Sequence, residues 1–184
     1  MPDDLRGLRD SVLLLVGFAG GMRRSELVGL DTDDVTEETE GIRVRIKRSK
    51  TDQEGVGWEM GIVRGRHPLT DPVAVLAVWL TAAGIEDGPV FREVDRGGRV
   101  GTQRLSHRAV ARIVKMAAER VGIDPTSVSG HSLRSGLATS AAAGGAPERA
   151  IMRTTGQRSE AMVRRYIRAA SVSSKSASRY LPTL

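Results

Sequence analysis

The sequence predicts a mainly α-helical domain carrying one small antiparallel β-sheet. Three observations lead there. Apolar residues recur at helical spacing through most of the chain, while a single stretch, residues 42–47, alternates apolar and basic side chains with period two. Helix boundaries are also written in the sequence, as Asp71 before Pro72, Ser106 before an amphipathic run, and glycines at 20, 21 and 84.

Taken in order, residues 8–19 form an apolar helix ended by Gly20-Gly21, and a short second helix runs from near Arg24 to Val28. Asp31-Thr32-Asp33-Asp34 resembles the start of a calcium loop, but Thr36 stands where that loop needs glycine, so metal binding is not expected. In residues 42–47, Ile42, Val44 and Ile46 face a core, while Arg43, Arg45 and Lys47 make a cationic outer face. A polar loop, 49–57, leads to a second strand over 58–63, with room for a third strand before them.

Thereafter the chain reads as helices. Pro72 starts one whose apolar face is Val73, Leu76, Ala77 and Leu80, stopped by Gly84. Ser106 caps the next, with a stripe of Val110, Ile113, Val114, Ala117 and Val121 and a basic stripe of Arg108, Arg112 and Lys115. Further helices are expected over 132–143, 147–154 and 159–170, followed by a serine-rich tail, 171–184.

The chain has 184 residues, enough for one domain, which is taken as residues 1–170 plus the tail. It has no cysteine, which removes thiolate zinc sites, cysteine nucleophiles and a disulfide framework. The longest apolar stretch, residues 12–19, is too short to span a bilayer. A soluble intracellular protein with no membrane contact is the expectation. Net charge is +6, and only four of the 28 basic residues are lysines. Arginine's planar fork suits phosphate and guanine, so the composition points to nucleic acid, although a GC-rich genome gives the same bias. Aromatics at 3% argue against stacking on unpaired bases and favour double-stranded DNA.

Three patterns carry possible chemistry. Gly21-Met22-Arg23-Arg24-Ser25-Glu26-Leu27 puts arginine after a glycine turn at the mouth of a helix. His131-Ser132-Leu133-Arg134 sets histidine and arginine three apart on one helical face. Thr155-Gly156-Gln157 is followed by Tyr166 inside Arg164-Arg165-Tyr166-Ile167-Arg168. Each alone has an ordinary reading: a salt-bridge arginine, a structural His–Arg pair, a core tyrosine. His67 and His107 have no partners at ligand spacing and read as surface residues.

Together and in this order, the patterns resemble the tyrosine recombinases, the family of Cre recombinase and phage lambda integrase, over nearly the whole chain. The stretches Ser129-Gly130-His131-Ser132-Leu133-Arg134 and Arg165-Tyr166-Ile167-Arg168 are the most alike, and Arg48-Ser49-Lys50-Thr51 resembles the family's catalytic lysine between two strands. The resemblance implies the DNA breaking-rejoining fold and metal-independent strand cleavage through a 3′-phosphotyrosyl intermediate, with no cofactor. By resemblance, Arg23 and Arg134 neutralise the phosphate, Tyr166 is the nucleophile, His131 helps take its proton, and Lys50 is the general acid. Glu26 orients Arg23 or is an ordinary surface acid. Arg108 opens the helix that enters the major groove, and Arg112, Lys115, Arg43, Arg45 and Lys47 are further DNA contacts. The implied partners are double-stranded DNA and a homotetramer formed on it from a monomer, with a directionality factor possible.

Two departures stand out. Where the family has histidine or tryptophan after the Thr155-Gly156 turn, this chain has Gln157, which can donate a hydrogen bond to the phosphate but cannot carry charge. The family's separate N-terminal DNA-clasping domain is absent from the sequence, which reads as an excised piece or a natural short form. Three other functions compete: a non-catalytic DNA-binding relative of the same fold, a topoisomerase without site choice, and a basic RNA-binding protein.

Overall fold

The computed structural model describes residues 4–47, 57–157 and 159–171. Helix α1, Leu5–Ala19, starts where the Asp4 carboxylate accepts the Gly7 N–H at 2.6 Å, and it buries Leu8, Val12, Leu13 and Val16. Its chain turns at Gly20 and at Gly21, whose φ is +55°, into α2, Arg24–Gly29. A single 3-10 turn, Thr32–Asp34, then leads into a three-stranded antiparallel sheet. Its strands are β1 (Val35–Glu38), β2 (Gly41–Ile46) and β3 (Trp58–Val63), in that order. Ile42, Val44 and Ile46 are buried as the alternation predicts, against Met60 and Ile62 of β3.

Helix α3, Pro72–Ala82, is capped by Asp71, whose carboxylate accepts the Val73 N–H at 2.9 Å. It packs on α1 and buries Trp79, whose Nε1–H donates to the Val90 carbonyl at 2.8 Å. Helix α4, His107–Arg120, is capped by Ser106 as expected and packs on α2. The last three helices are α5 (Ser132–Ala143), α6 (Glu148–Thr155) and α7 (Glu160–Ser171). They form a second, smaller core of Ala138, Ile151 and Val163, against which Tyr166 packs. Helix α5 joins the two cores, because it packs on α1 as well as on α6 and α7 and sets Leu133 against the larger core.

Three expectations are corrected. Between α3 and α4 the chain is not all helix: β4 (Arg92–Val94) and β5 (Val100–Arg104) make an antiparallel hairpin. Val121 does not continue the apolar stripe of α4. The helix ends at Arg120, Gly122 turns with φ +75°, and Val121 is 71% exposed.

The outer face of β2 is charge-compensated rather than cationic. Arg43 pairs with Glu38 and Glu59, Arg45 with Asp34, and Lys47 with both Asp31 and Asp34. Arg104 completes this network, donating to Asp31 at 2.6 Å and to the carbonyls of Val28 and Leu30. The acidic run at 31–34 therefore meets the protein's own cations. No helix among the described residues is long and apolar enough to cross a membrane.

Candidate active site

The three sequence patterns converge where the two cores meet. Arg23 sits in extended conformation just before α2. Glu26, in the first turn of that helix, reaches back to accept the Arg23 backbone N–H at 2.7 Å and also accepts from its guanidinium. This is half of a capping box, and it fixes the arginine's backbone and its fork with one carboxylate. The Glu26 side chain is wholly buried, and the oxygen that accepts the Arg23 N–H also lies 3.8 Å from Arg134 Nη1. Glu26 therefore lies against two arginines, not one.

Arg134 lies in the first turn of α5 and is fully buried. Its Nη1 donates to the Gly21 carbonyl at 2.8 Å, and its Nη2 donates to the Thr155 carbonyl. The guanidinium thus joins the α1–α2 turn to the end of α6. Gly21 permits this doubly: its φ is positive, and a methyl group there would stand 2.6 Å from Leu137. Burial, and then the nearby Arg23, push the Arg134 pKa down to about 10, against the pull of Glu26 and the Tyr166 oxygen. The Arg134 Nε–H is buried without a hydrogen-bond partner among the described residues. Two cations sharing one carboxylate form a site that gains from an added anion.

His131 precedes the first residue of α5, and its Nε2 lies 3.1 Å from the Tyr166 hydroxyl on α7. The loop before it is held by Ser132, whose hydroxyl accepts the Ser129 N–H at 2.9 Å, and by Ser129, which accepts the His131 N–H at 3.1 Å. Burial lowers the His131 pKa below its ordinary 6.5; Arg134 and Arg23 add to this, and Glu26 opposes them. The imidazole is therefore neutral at pH 7, with Nε2 free to accept a proton from the phenol if Nδ1 carries its hydrogen.

Gly156 ends α6 in the left-handed conformation, φ +59°, and lies against the Trp58 indole, 2.6 Å from where a methyl would stand. Gln157 follows, its amide oxygen 3.5 Å from the Thr155 hydroxyl. Arg108 and His107 open on the same cleft as Arg23 and His131, so His107 is an exposed surface residue, as expected, that also lines this cleft. Arg112 lines a different cleft beside Asp10 and Glu93, and Lys115 is exposed farther along α4. Arg43, Arg45 and Lys47 stand in the ion pairs of the sheet. Lys50 lies outside the described residues, and among those residues no group of three or more His, Asp or Glu could hold a metal.

Residues 2–172 match the phage integrase family. The chain belongs to that family. Among curated members, the integrase/recombinase xerD homolog of Selenomonas ruminantium is 41% identical over 165 residues, covering 90% of this chain and 48% of that protein. Tyrosine recombinase XerD of Xanthomonas axonopodis pv. citri is 34% identical over 167 residues, covering 85% and 50%. This phage integrase chain thus spans about half the length of the curated relatives it matches.

Two solved structures share its fold. XerH site-specific recombinase, in a post-cleavage complex with a palindromic difH substrate, superposes with a TM-score of 0.69 at 19% identity, covering 95% of this chain and 48% of that one. The lambda integrase dimer bound to a COC′ core site gives 0.61 at 18% identity, covering 91% and 43%. The helix-rich fold with small antiparallel sheets is the one these recombinases share.

Proposed function

We propose that this chain cuts and rejoins double-stranded DNA, with Tyr166 as the nucleophile. The observation that carries this is the contact of His131 Nε2 with the Tyr166 hydroxyl at 3.1 Å, beside two arginines, buried Arg134 and partly exposed Arg23, that share a single carboxylate. The phenol oxygen attacks phosphorus, a bond forms between Tyr166 and the 3′-phosphate, and the bond to the 5′ oxygen breaks. His131 takes the phenol proton, and Lys50 supplies one to the departing 5′ oxygen. Arg23 and Arg134 stabilise the negative charge that grows on the non-bridging oxygens, and their donors are positioned before the reaction begins. Gln157 adds a neutral hydrogen bond to the phosphate. Rejoining is the reverse attack by a 5′ hydroxyl on the phosphotyrosine, so the bond energy is kept and no nucleotide cofactor is consumed.

In this reading the natural reaction is site-specific recombination by four copies assembled on two duplexes from monomers in the bacterial cytoplasm. The serine-rich tail with its apolar end suits a segment that reaches a neighbouring copy, and a directionality factor would set the outcome. Arg108 and, beyond it, Arg112 and Lys115 supply groove and backbone contacts. Arg43, Arg45 and Lys47 contribute less, because each is already matched by a carboxylate.

The test uses nicked duplexes tiled across the DNA that flanks the gene, with covalent adducts read on a denaturing gel. The parent protein should give adducts in the presence of EDTA, Tyr166→Phe none, and Tyr180→Phe the parental amount. Adducts that persist in Tyr166→Phe would overturn the assignment. Duplex binding without any adduct would mark a non-catalytic relative, and relaxation of plasmids lacking those sequences a topoisomerase.

A further inference from the structure

The cleft that Arg23 and His131 share with solvent has a volume of about 440 Å³, and Arg24, Ser25, His107 and Arg108 also line it. It presents three arginines and two histidines and no carboxylate, whereas three other clefts in the described residues each include acidic side chains. Arg23 spends part of its charge on Glu26, but Arg24 has no carboxylate partner among the described residues. The strand-cutting chemistry leaves Arg24 unused.

The stem of Arg24 crosses the backbone of Gly130, immediately before His131. A methyl group at Gly130 would collide with Arg24 Cδ and stand 2.5 Å from Cγ and 2.6 Å from Nε. The side chain therefore runs over the face of residue 130 that a Cβ would occupy. An exposed arginine with free rotamers would lose entropy on binding an anion. One laid along a neighbouring backbone has already lost part of it.

We propose that Arg24 binds a DNA phosphate adjoining the reactive one, and that Gly130 positions it by leaving room for its stem. This rests on the DNA-cleaving function proposed above. Arg23 and His131 belong both to the reactive cluster and to this cleft, so an anion held by Arg24 lies next to the one held by Arg23 and Arg134. A string of closely spaced negative charges, which is what a DNA strand offers, satisfies both places at once. A single small anion does not.

The test is the salt dependence of binding to an intact duplex of arbitrary sequence. Each phosphate contact contributes about 0.9 to the slope of log K against log salt. Arg24→Ala should make the slope shallower by about that amount. Gly130→Ala, which removes no charge, should do the same by expelling the Arg24 stem, and the double variant should be no shallower than either single one. Arg64→Ala, which removes the same charge from a pair with Glu37 outside the cleft, should leave the slope unchanged.

A parental slope in Arg24→Ala would overturn the proposal. An effect of Gly130→Ala that adds to that of Arg24→Ala would overturn the positioning role. Arg24 is exposed, so its variant reads the phosphate contact even if Gly130→Ala folds poorly. If the parent protein shows no salt-dependent binding to any duplex, the DNA function itself fails, an outcome distinct from a loss confined to Arg24.

Discussion

Replacing Glu26 by glutamine removes the carboxylate that Arg23 and Arg134 share and keeps the shape of the side chain. In the structure the Glu26 side chain is fully buried, the Arg134 side chain is 1% exposed, and that of Arg23 is 22% exposed. Breaking a buried pair by removing one partner costs about 3–5 kcal/mol, because the remaining charge stays buried without compensation. For a chain of this size each kcal/mol lowers the melting temperature by about 2–4 °C, so Glu26→Gln should melt about 6–20 °C below the parent. Solvent screening at Arg23 and the 3.8 Å separation from Arg134 favour the lower half of that range. The same variant should gain more from an anion, since two arginines then lack a counter-charge. Thermal unfolding with and without inorganic phosphate measures both effects. An unchanged melting temperature, or equal phosphate stabilisation of parent and variant, would refute the idea that Glu26 holds the two arginines in place.

Four further outcomes are expected. Because the His131 pKa is depressed, the acid limb of kcat/KM for cleavage should fall below pH 6.5; a limb above that value would exclude neutral His131 as the base. The same group takes up a proton more readily unfolded than folded, so its share of stability is full above about pH 6.5 and is lost as pH falls below it. Gln157→Ala should slow single-turnover cleavage by roughly ten- to a hundred-fold, and Gln157→His should keep or raise it; a stable alanine variant cutting at the parental rate would remove Gln157 from the chemistry. Gly156→Ala must adopt a left-handed conformation, at a cost of roughly 1–2 kcal/mol, and must also displace the Trp58 indole, so a melting temperature equal to the parent's would contradict the packing.

Much of this was legible because it is written in side chains. The bounds of α5 follow from its apolar spacing between His131 and Gly144, and Asp71-Pro72 and Ser106 mark helix starts by their own chemistry. The β4–β5 hairpin was not legible. Its strands are short and mostly exposed, without an alternating apolar face, and the turn glycines Gly97-Gly98 were the only signal. Val121 misled because an apolar residue at the right spacing says nothing of where the helix stops.

At the site, the grouping of Arg23, His131, Arg134 and Tyr166 followed from the resemblance of their motifs, in that order, to the tyrosine recombinases. The groups that hold Arg134 did not, because backbone carbonyls at Gly21 and Thr155 carry no residue signature. Nor did the second contact of Glu26, which spans 108 residues of sequence. The free-looking cations of β2 were overcounted, because their acidic partners lie on neighbouring strands and on the turn before the sheet.

Tyr166, the nucleophile proposed above, belongs to the weaker of two hydrophobic centres. Tyr166 packs on the cluster of Ala138, Ile151 and Val163, whereas Arg23 and Glu26 stand on the large centre that contains Trp79 and Phe91. A segment with so little apolar burial opens at a fraction of the global unfolding free energy, so amide hydrogens of α7 should exchange well before those of α1 and α3. Loss of the proposed strand cutting and loss of fold are then separate events on a heating curve, and a single melting temperature describes only the second. The two tryptophans tell them apart: Trp58 packs on the large centre but also touches Gly156 at the end of α6, whereas Trp79 is sealed inside the large centre. A protein warmed until only the Trp58 signal has changed would still hold its fold around Trp79, but with Tyr166 no longer held beside His131.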